Sequence, residues 1–207
     1  MDQGTIQAPS SWSVLGGVLN QTSDIYGGST ASSDPAKPGT FIVTGDPEWA
    51  NTVTSVRLRN SDDDGIGVMF RVADPNNYYR FSMDRELSYR RLTKTVAGIT
   101  TTLAEDSVPY AIDTGYDVAI RAFGSALAVY LDGAPILAAT DSSLASGRIG
   151  LYSWRSTGAQ FDNVVVAPSL PTPPVLVVHG LSNAFDADLF ASAWPGRRYQ
   201  LAFSRGT

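Results

Sequence analysis

Ser61-Asp62-Asp63-Asp64-Gly65-Ile66-Gly67-Val68-Met69-Phe70-Arg71, then Asn76-Asn77-Tyr78-Tyr79-Arg80-Phe81-Ser82-Met83-Asp84, is the stretch that decides the fold. Ile66, Val68, Phe70 and Val72 alternate with Gly67, Met69 and Arg71, and Tyr79, Phe81 and Met83 alternate with Tyr78, Arg80, Ser82 and Asp84. A period of two belongs to a strand with one face on a core. Asp74-Pro75-Asn76-Asn77 lies between the two runs. Pro presets φ and Asn tolerates the left-handed region, so these residues predict the turn that joins two antiparallel strands.

The same style extends in both directions. Val56 and Leu58 share a face opposite Ser55, Arg57 and Arg59; further runs follow at 88–94, 99–104, 118–122, 127–131, 147–154 and 161–166. Gly124-Ser125 and Asp132-Gly133 mark tight turns between them. Roughly eleven or twelve short strands at this spacing predict an all-β, antiparallel β-sandwich of the jelly-roll type. One short helical stretch is expected near 141–145. Ala167 to Pro174 is Pro-rich, so residues 1–168 read as the sandwich, 169–174 as a linker, and 175–207 as the start of a further β-module or as strands docked on the first.

Composition narrows the function. The 207 residues are 43% hydrophobic and 17% charged, enough for a real core, and the net charge is −5. An acidic balance speaks against a nucleic-acid partner. With no cysteine there is no disulfide, thiolate metal site or cysteine nucleophile, and the lone histidine, His179, speaks against Ser-His-Asp chemistry and multi-histidine metal sites. No run approaches the ~20 apolar residues of a membrane span, and Met1-Asp2-Gln3-Gly4 is not a leader. A secreted or cell-surface module is expected, with any leader lying outside this sequence.

Two constellations stand out. Asp62, Asp63 and Asp64 are three adjacent carboxylates that repel one another unless water or a cation relieves them, and calcium favours such oxygen ligands. The bland alternative for this run is a solvated acidic turn; Asp2 and Asp162, near the first and last strands, are expected to share a structural calcium. The second constellation is Arg57, Arg71 and Arg80, on the non-core faces of three successive strands, with Arg91 on a fourth. Tyr78 and Asp84 share a face with Arg80, and Tyr89 shares one with Arg91. Tyr152 and Trp154 face away from Ile149 and Leu151, which makes Trp154 the best exposed stacking platform. Guanidinium groups, aromatic faces and a carboxylate together suit a sugar polymer, with acidic sugars favoured. The alternative is cross-strand ion pairing that only holds a sheet. Asp84-Arg85-Glu86 is the nearest thing to a catalytic carboxylate pair and lacks a third acid.

Residues 61–71 and 76–84 resemble the concanavalin A-like lectin/glucanase superfamily, above all the laminin-G-like and thrombospondin C-terminal modules of bacterial secreted proteins. Gly147 to Trp154 and Phe161 to Val166 are similar to the closing strands of that superfamily, and Trp12 to Leu19 to the opening one. The resemblance implies the sandwich and raises the calcium reading. It does not name a ligand, because such folds host lectins, hydrolases, lyases and adhesion modules. Residues 193–204 resemble strands of small repeated β-modules in large bacterial extracellular proteins. The sequence thus predicts a non-catalytic carbohydrate-binding module of a larger protein, with a polysaccharide as partner and calcium as cofactor. A polysaccharide lyase or glycoside hydrolase on the same face is one alternative, and a structural or adhesion module of a surface protein is another.

Overall fold

The computed structural model describes residues 1–169. The expectations for a linker at 169–174 and for the tail at 175–207, like His179, fall outside the described residues apart from Ser169. Thirteen strands form the described part: β1 (Trp12–Leu15), β2 (Val18–Gln21), β3 (Thr40–Thr44), β4 (Thr52–Asn60), β5 (Gly65–Asp74), β6 (Asn77–Asp84), β7 (Tyr89–Val96), β8 (Ile99–Asp106), β9 (Gly115–Phe123), β10 (Ala126–Leu131), β11 (Ala134–Thr140), β12 (Arg148–Trp154) and β13 (Ala159–Pro168). All pairings are antiparallel, in a seven-stranded sheet of order β1-β2-β13-β4-β9-β10-β11 and a six-stranded sheet of order β3-β12-β5-β6-β7-β8. No helix occurs among the described residues, so the short one expected near 141–145 is absent.

Turn chemistry sets the hairpins. Asp132 and Gly133 both take positive φ, 50° and 80°, the geometry that suits the right-handed twist of the flanking strands. Between the sheets, alternating residues interlock: Val56 and Leu58 from β4, Ile66, Val68 and Phe70 from β5, Tyr79, Phe81 and Met83 from β6, and Val118 and Ile120 from β9 are all buried in one cluster. Phe70 and Tyr79 stack across β5 and β6 with ring centroids 5.2 Å apart.

A second apolar cluster lies on the other face of the six-stranded sheet. Phe41, Met69, Val72, Tyr78, Tyr152 and Trp154 are buried there. Val72 belongs to this outer cluster, although its spacing from Phe70 predicts the core. The reason is a bulge: Arg71 has φ 47°, and the β5–β6 register shifts after Phe70, which exchanges the two faces. The chain before β3 runs over this outer face, with the N-terminal amino group on Phe41 O and an Asp2–Thr40 bridge at its edge.

Candidate functional site

Strand register lines up the outer face of the six-stranded sheet in rows. One row reads Trp154, Gly65, Asp84, Tyr89; the next Phe41, Tyr152, Gly67, Ser82, Arg91; the third Val43, Gly150, Met69, Arg80, Thr93. Tyr78, Arg80, Asp84, Tyr89, Arg91 and Trp154, all expected to bind, therefore converge on one face. Glycines make the middle of the rows shallow. A Cβ on Gly65 would stand 3.3 Å from Trp154 Cβ and 3.6 Å from Asp84 Oδ2, so the indole and the carboxylate confront each other across the bare backbone.

Two of the expected residues do not join them. Arg57 is on β4, in the other sheet, where it pairs at 2.8 Å with exposed Asp117. The stripe expected across successive strands fails because β4 and β5 lie in different layers. Arg71 is turned aside by its bulge. Its buried guanidinium reaches Ala50 O at 2.9 Å, Gly124 O at 2.8 Å and Leu144 O at 2.9 Å, tying three loops together at the rim of the sandwich.

The converging residues are also buried, and Trp154 is not the exposed platform its spacing predicts: it is fully covered. Over Arg80, Arg91, Tyr152 and Trp154 lies the chain's own segment 29–38, while Tyr26 and Leu87 also pack on this face and Gln3 meets the Tyr78 hydroxyl. Arg80, over the Tyr152 ring at 4.3 Å, donates to Pro35 O at 2.7 Å and Ala36 O at 2.9 Å. Arg91, over the Tyr89 ring at 4.2 Å, donates to Ser32 O at 2.8 Å and to the Glu105 carboxylate at 2.7 Å. Tyr152 donates its hydroxyl to Lys37 O. Lys37 itself is wholly buried, with Nζ 4.6 Å from the centre of the Trp154 ring and bonded to Ser29 O and Ala31 O. Burial pushes its pKa down. Nothing in the sequence singles out Lys37: it stands between Pro35 and Pro38 in a stretch without strand periodicity.

This face holds most of the unmet hydrogen bonding among the described residues. Arg80 Nε, Asp84 Oδ2 and Trp154 Nε1 are buried with no hydrogen-bond partner, and the buried Ser82 Oγ and Tyr89 OH have at most each other. Buried polar atoms are normally satisfied, so such a concentration calls for a ligand or ordered water. Asp84 accepts from Leu87 N through Oδ1 only, and burial pushes its pKa up to about 6, helped by nearby Glu86. At the rim, Asp64 Oδ1 has only Arg155, at 3.6 Å; burial pushes this carboxyl up to about 7, against the pull of Arg155. Arg155 also pairs with Glu86 at 3.2 Å and lies beside the rings of Tyr26 and Trp154.

The acidic loop is partly spoken for. Carboxylate oxygens of Asp62, Asp63 and Asp64 lie within 4.8 Å of one another. Asp62 Oδ2 accepts from Thr157 N at 2.7 Å and Thr157 Oγ1 at 2.9 Å, and Oδ1 accepts from Asp63 N. Burial works against its ionisation, but these bonds hold its pKa below the usual value. The Asp63 carbonyl accepts from Arg85 N and Glu86 N. Asp2 and Asp162 are not brought together: Asp2 bridges to Thr40 of β3 and accepts from Ser10 N, whereas Asp162 pairs in register with Arg57 in the other sheet.

Known proteins resemble the chain in sequence and in fold. The chain is 28% identical over 113 residues to a levanase of Bacillus subtilis, a match that covers 54% of this chain and 16% of that enzyme's length. Among solved structures, it resembles the carbohydrate-binding module CBM66 from Bacillus subtilis with a TM-score of 0.64 and 22% identity, over 76% of this chain and 91% of that one. The galectin LEC-6 of Caenorhabditis elegans matches with a TM-score of 0.49 and 14% identity, over 69% of this chain and 94% of that one. The model of one family matches residues 3–167, essentially the whole sandwich. The chain belongs to the 3-keto-alpha-glucoside-1,2-lyase-like domain family.

Proposed function

We propose that this domain binds a glycan, without turning it over, on the outer face of the six-stranded sheet. The observation that carries the reading is the pair of buried polar atoms without a partner on Asp84 and Trp154, beside Ser82 and Tyr89 hydroxyls that have at most each other, backed by two guanidinium groups on aromatic rings. A donor on Trp154, an acceptor on Asp84 and two hydroxyls that do either are what a sugar with several hydroxyl groups needs. The levanase relative makes levan the first polymer to try. Arg80 and Arg91 make polygalacturonate the second, since guanidinium groups favour carboxylates. The reading places the domain in a larger extracellular protein.

Affinity electrophoresis in levan, polygalacturonate and a neutral glucan tests it. Trp154→Phe, Tyr89→Phe and Asp84→Asn each remove one polar function; the last two keep the shape, and the first also trims a buried indole to a single ring. Each is expected to weaken binding about fivefold, the worth of roughly 1 kcal/mol. No retardation in any gel, or variants that bind as wild type does, would overturn the reading.

A second reading is catalytic. Family membership and two carboxyls held as weak acids, Asp64 at about 7 and Asp84 at about 6, favour it. Reducing-end release from levan, or an ultraviolet-absorbing product from polygalacturonate, lost in Asp84→Asn, is its test.

The calcium proposal rests on Asp62, Asp63 and Asp64 alone. Asp62 already serves Thr157, and Arg155 already supplies positive charge beside Asp64, so an ion here is weakly held. Melting in millimolar calcium and in chelator separates by several degrees if the ion is bound, and coincides if it is not.

A further inference from the structure

The residues best suited to hold a glycan are held instead by the chain itself. Ser29-Thr30-Ala31-Ser32-Ser33-Asp34-Pro35-Ala36-Lys37-Pro38 contains no Val, Ile, Leu, Met or aromatic residue. It has no large apolar side chain to bury, so its apolar burial rests on the Lys37 stem and the half-buried Pro35 and Pro38. Ser29 to Ser33 are exposed, and Gly27 and Gly28, the latter at φ 68°, lead into the segment. What fastens it is polar: backbone carbonyls of Ser32, Pro35 and Ala36 on Arg91 and Arg80, and the Lys37 side chain laid on Trp154.

Those fastenings are exchangeable. A carbonyl that accepts from a guanidinium is replaced by a sugar hydroxyl or carboxylate with no hydrogen bond lost. Lys37 Nζ is bonded to Ser29 O and Ala31 O, both within the segment, so these bonds travel with it if it lifts, and what Lys37 gives up is the Trp154 ring. Beneath it lie the unpartnered Asp84 Oδ2 and Trp154 Nε1, which the segment covers without satisfying. A cover that leaves such atoms unpaired contributes less than a ligand that pairs them.

We propose that residues 29–38 are a displaceable strap which occupies the ligand face when no glycan is bound. Glycan and strap compete for Arg80 and Arg91, and Lys37 leaves the Trp154 ring when the glycan enters. The apparent dissociation constant is then the intrinsic one divided by the fraction of molecules with the strap open. Loosening the strap raises apparent affinity. This inference rests on the glycan reading above and adds its regulation.

The test uses the chain's lysines. There are two, Lys37 and Lys94, so amine labelling with a succinimidyl ester, read by peptide mass spectrometry, reports Lys37 against an internal reference. Lys94 is partly exposed and Lys37 is not. Labelling of Lys37 in the native protein is expected to run well ahead of global unfolding and to rise severalfold in saturating levan or polygalacturonate. Lys37→Ala is expected to bind the same polymer about tenfold more tightly. Asp34→Ala, which removes the carboxylate cap on Ala36 N and leaves the sheet untouched, is expected to act in the same direction and serves if Lys37→Ala does not fold.

Three outcomes separate the two claims. If glycan binds and Asp84→Asn weakens it, but Lys37 labels only at the unfolding rate and the strap variants bind as wild type, the strap proposal is overturned and the functional reading stands. If Lys37 becomes more protected in glycan, the segment closes on the ligand, and displacement is overturned. If Lys37 labels quickly but neither wild type nor the strap variants bind any polymer, opening of the strap is supported and the glycan reading falls.

Discussion

The outer faces of the two sheets carry the same residue type at the same alternation and use it oppositely. On the seven-stranded sheet, Arg57 pairs with Asp117 and Arg59 with Asp113 in solvent, all four side chains more than 40% exposed, and Arg59 also donates to Gln160. On the six-stranded sheet, Arg80 is 1% exposed and Arg91 5%, each against an aromatic ring and bonded to loop carbonyls. The first arrangement is ordinary surface pairing, which contributes little to stability. The second removes two full charges from water and leaves neighbouring polar atoms without partners. That difference is the observation on which the proposed function rests.

Arg80→Ala is expected to have the largest effect. It removes a ring contact and leaves the Pro35 and Ala36 carbonyls without their donor, at a cost of about 4 kcal/mol, read as a lowered urea midpoint. Retention of wild-type stability would show that the strap is not fastened there.

Asp84→Asn comes next, with the opposite sign. A carboxyl raised from 3.8 to about 6 in the folded protein favours its protonated form there, so the group stabilises below about pH 4 and loses that contribution as pH rises to about 6. The asparagine keeps the acceptor for Leu87 N and carries no charge. A gain of up to about 3 kcal/mol at pH 8 is expected, vanishing near pH 4, as roughly 1.4 kcal/mol per unit requires. Stability gained while glycan binding weakens is the pattern of a residue kept for its ligand. Equal stability at both pH values would mean that water already satisfies Oδ2.

How much of this the sequence carries depends on the range of the signal. Parity within β6 places Tyr78, Arg80, Ser82 and Asp84 together correctly, and parity within β12 turns Tyr152 and Trp154 to the same side, because alternation is local. Sheet assignment is not local: β4 pairs with β9 and β13, strands far away in sequence, so nothing near Arg57 says that it belongs to the other layer. Arg71 is lost to a bulge with φ 47° that no glycine or proline marks. The cover escapes altogether. Residues 29–38 have loop composition, and only the tertiary structure shows that Lys37 is buried against Trp154.

A third site calibrates the comparison, since it is half-buried but fully paired. Asp141 accepts from Tyr79 OH at 2.6 Å and from Lys94 Nζ at 2.5 Å, fixing the chain after β11 to β6 and β7. Burial works against its ionisation, but Lys94, Tyr79 and Ser143 together hold its pKa well below the usual carboxylate range. A depressed pKa contributes stability that is present above the unfolded value near 4 and lost as the pH falls below it. Asp141→Asn is expected to cost about 1–2 kcal/mol at pH 7, and the gap to wild type is expected to close in acid, opposite in slope to Asp84→Asn. Melting curves of the two variants from pH 3 to pH 8 check both signs at once.

Arg57→Ala, on the open face, is expected to do least. Its partner Asp117 keeps water when the arginine goes, both side chains being largely solvated already, so the loss is at most about 0.5 kcal/mol and shrinks further in salt. Glycan binding is expected to be unchanged, because Arg57 lies in the other sheet. A variant that loses binding as Trp154→Phe does would move the ligand to the seven-stranded sheet. There Ser55, Val56, Asp117 and Ala119 line a depression of about 220 Å³ beside Arg57. The strap would then cover nothing that a ligand needs, and the unmet atoms beneath it would be left to buried water. The two arginine variants, assayed side by side for stability and for retardation in the gel, therefore decide which face of the sandwich is the working one.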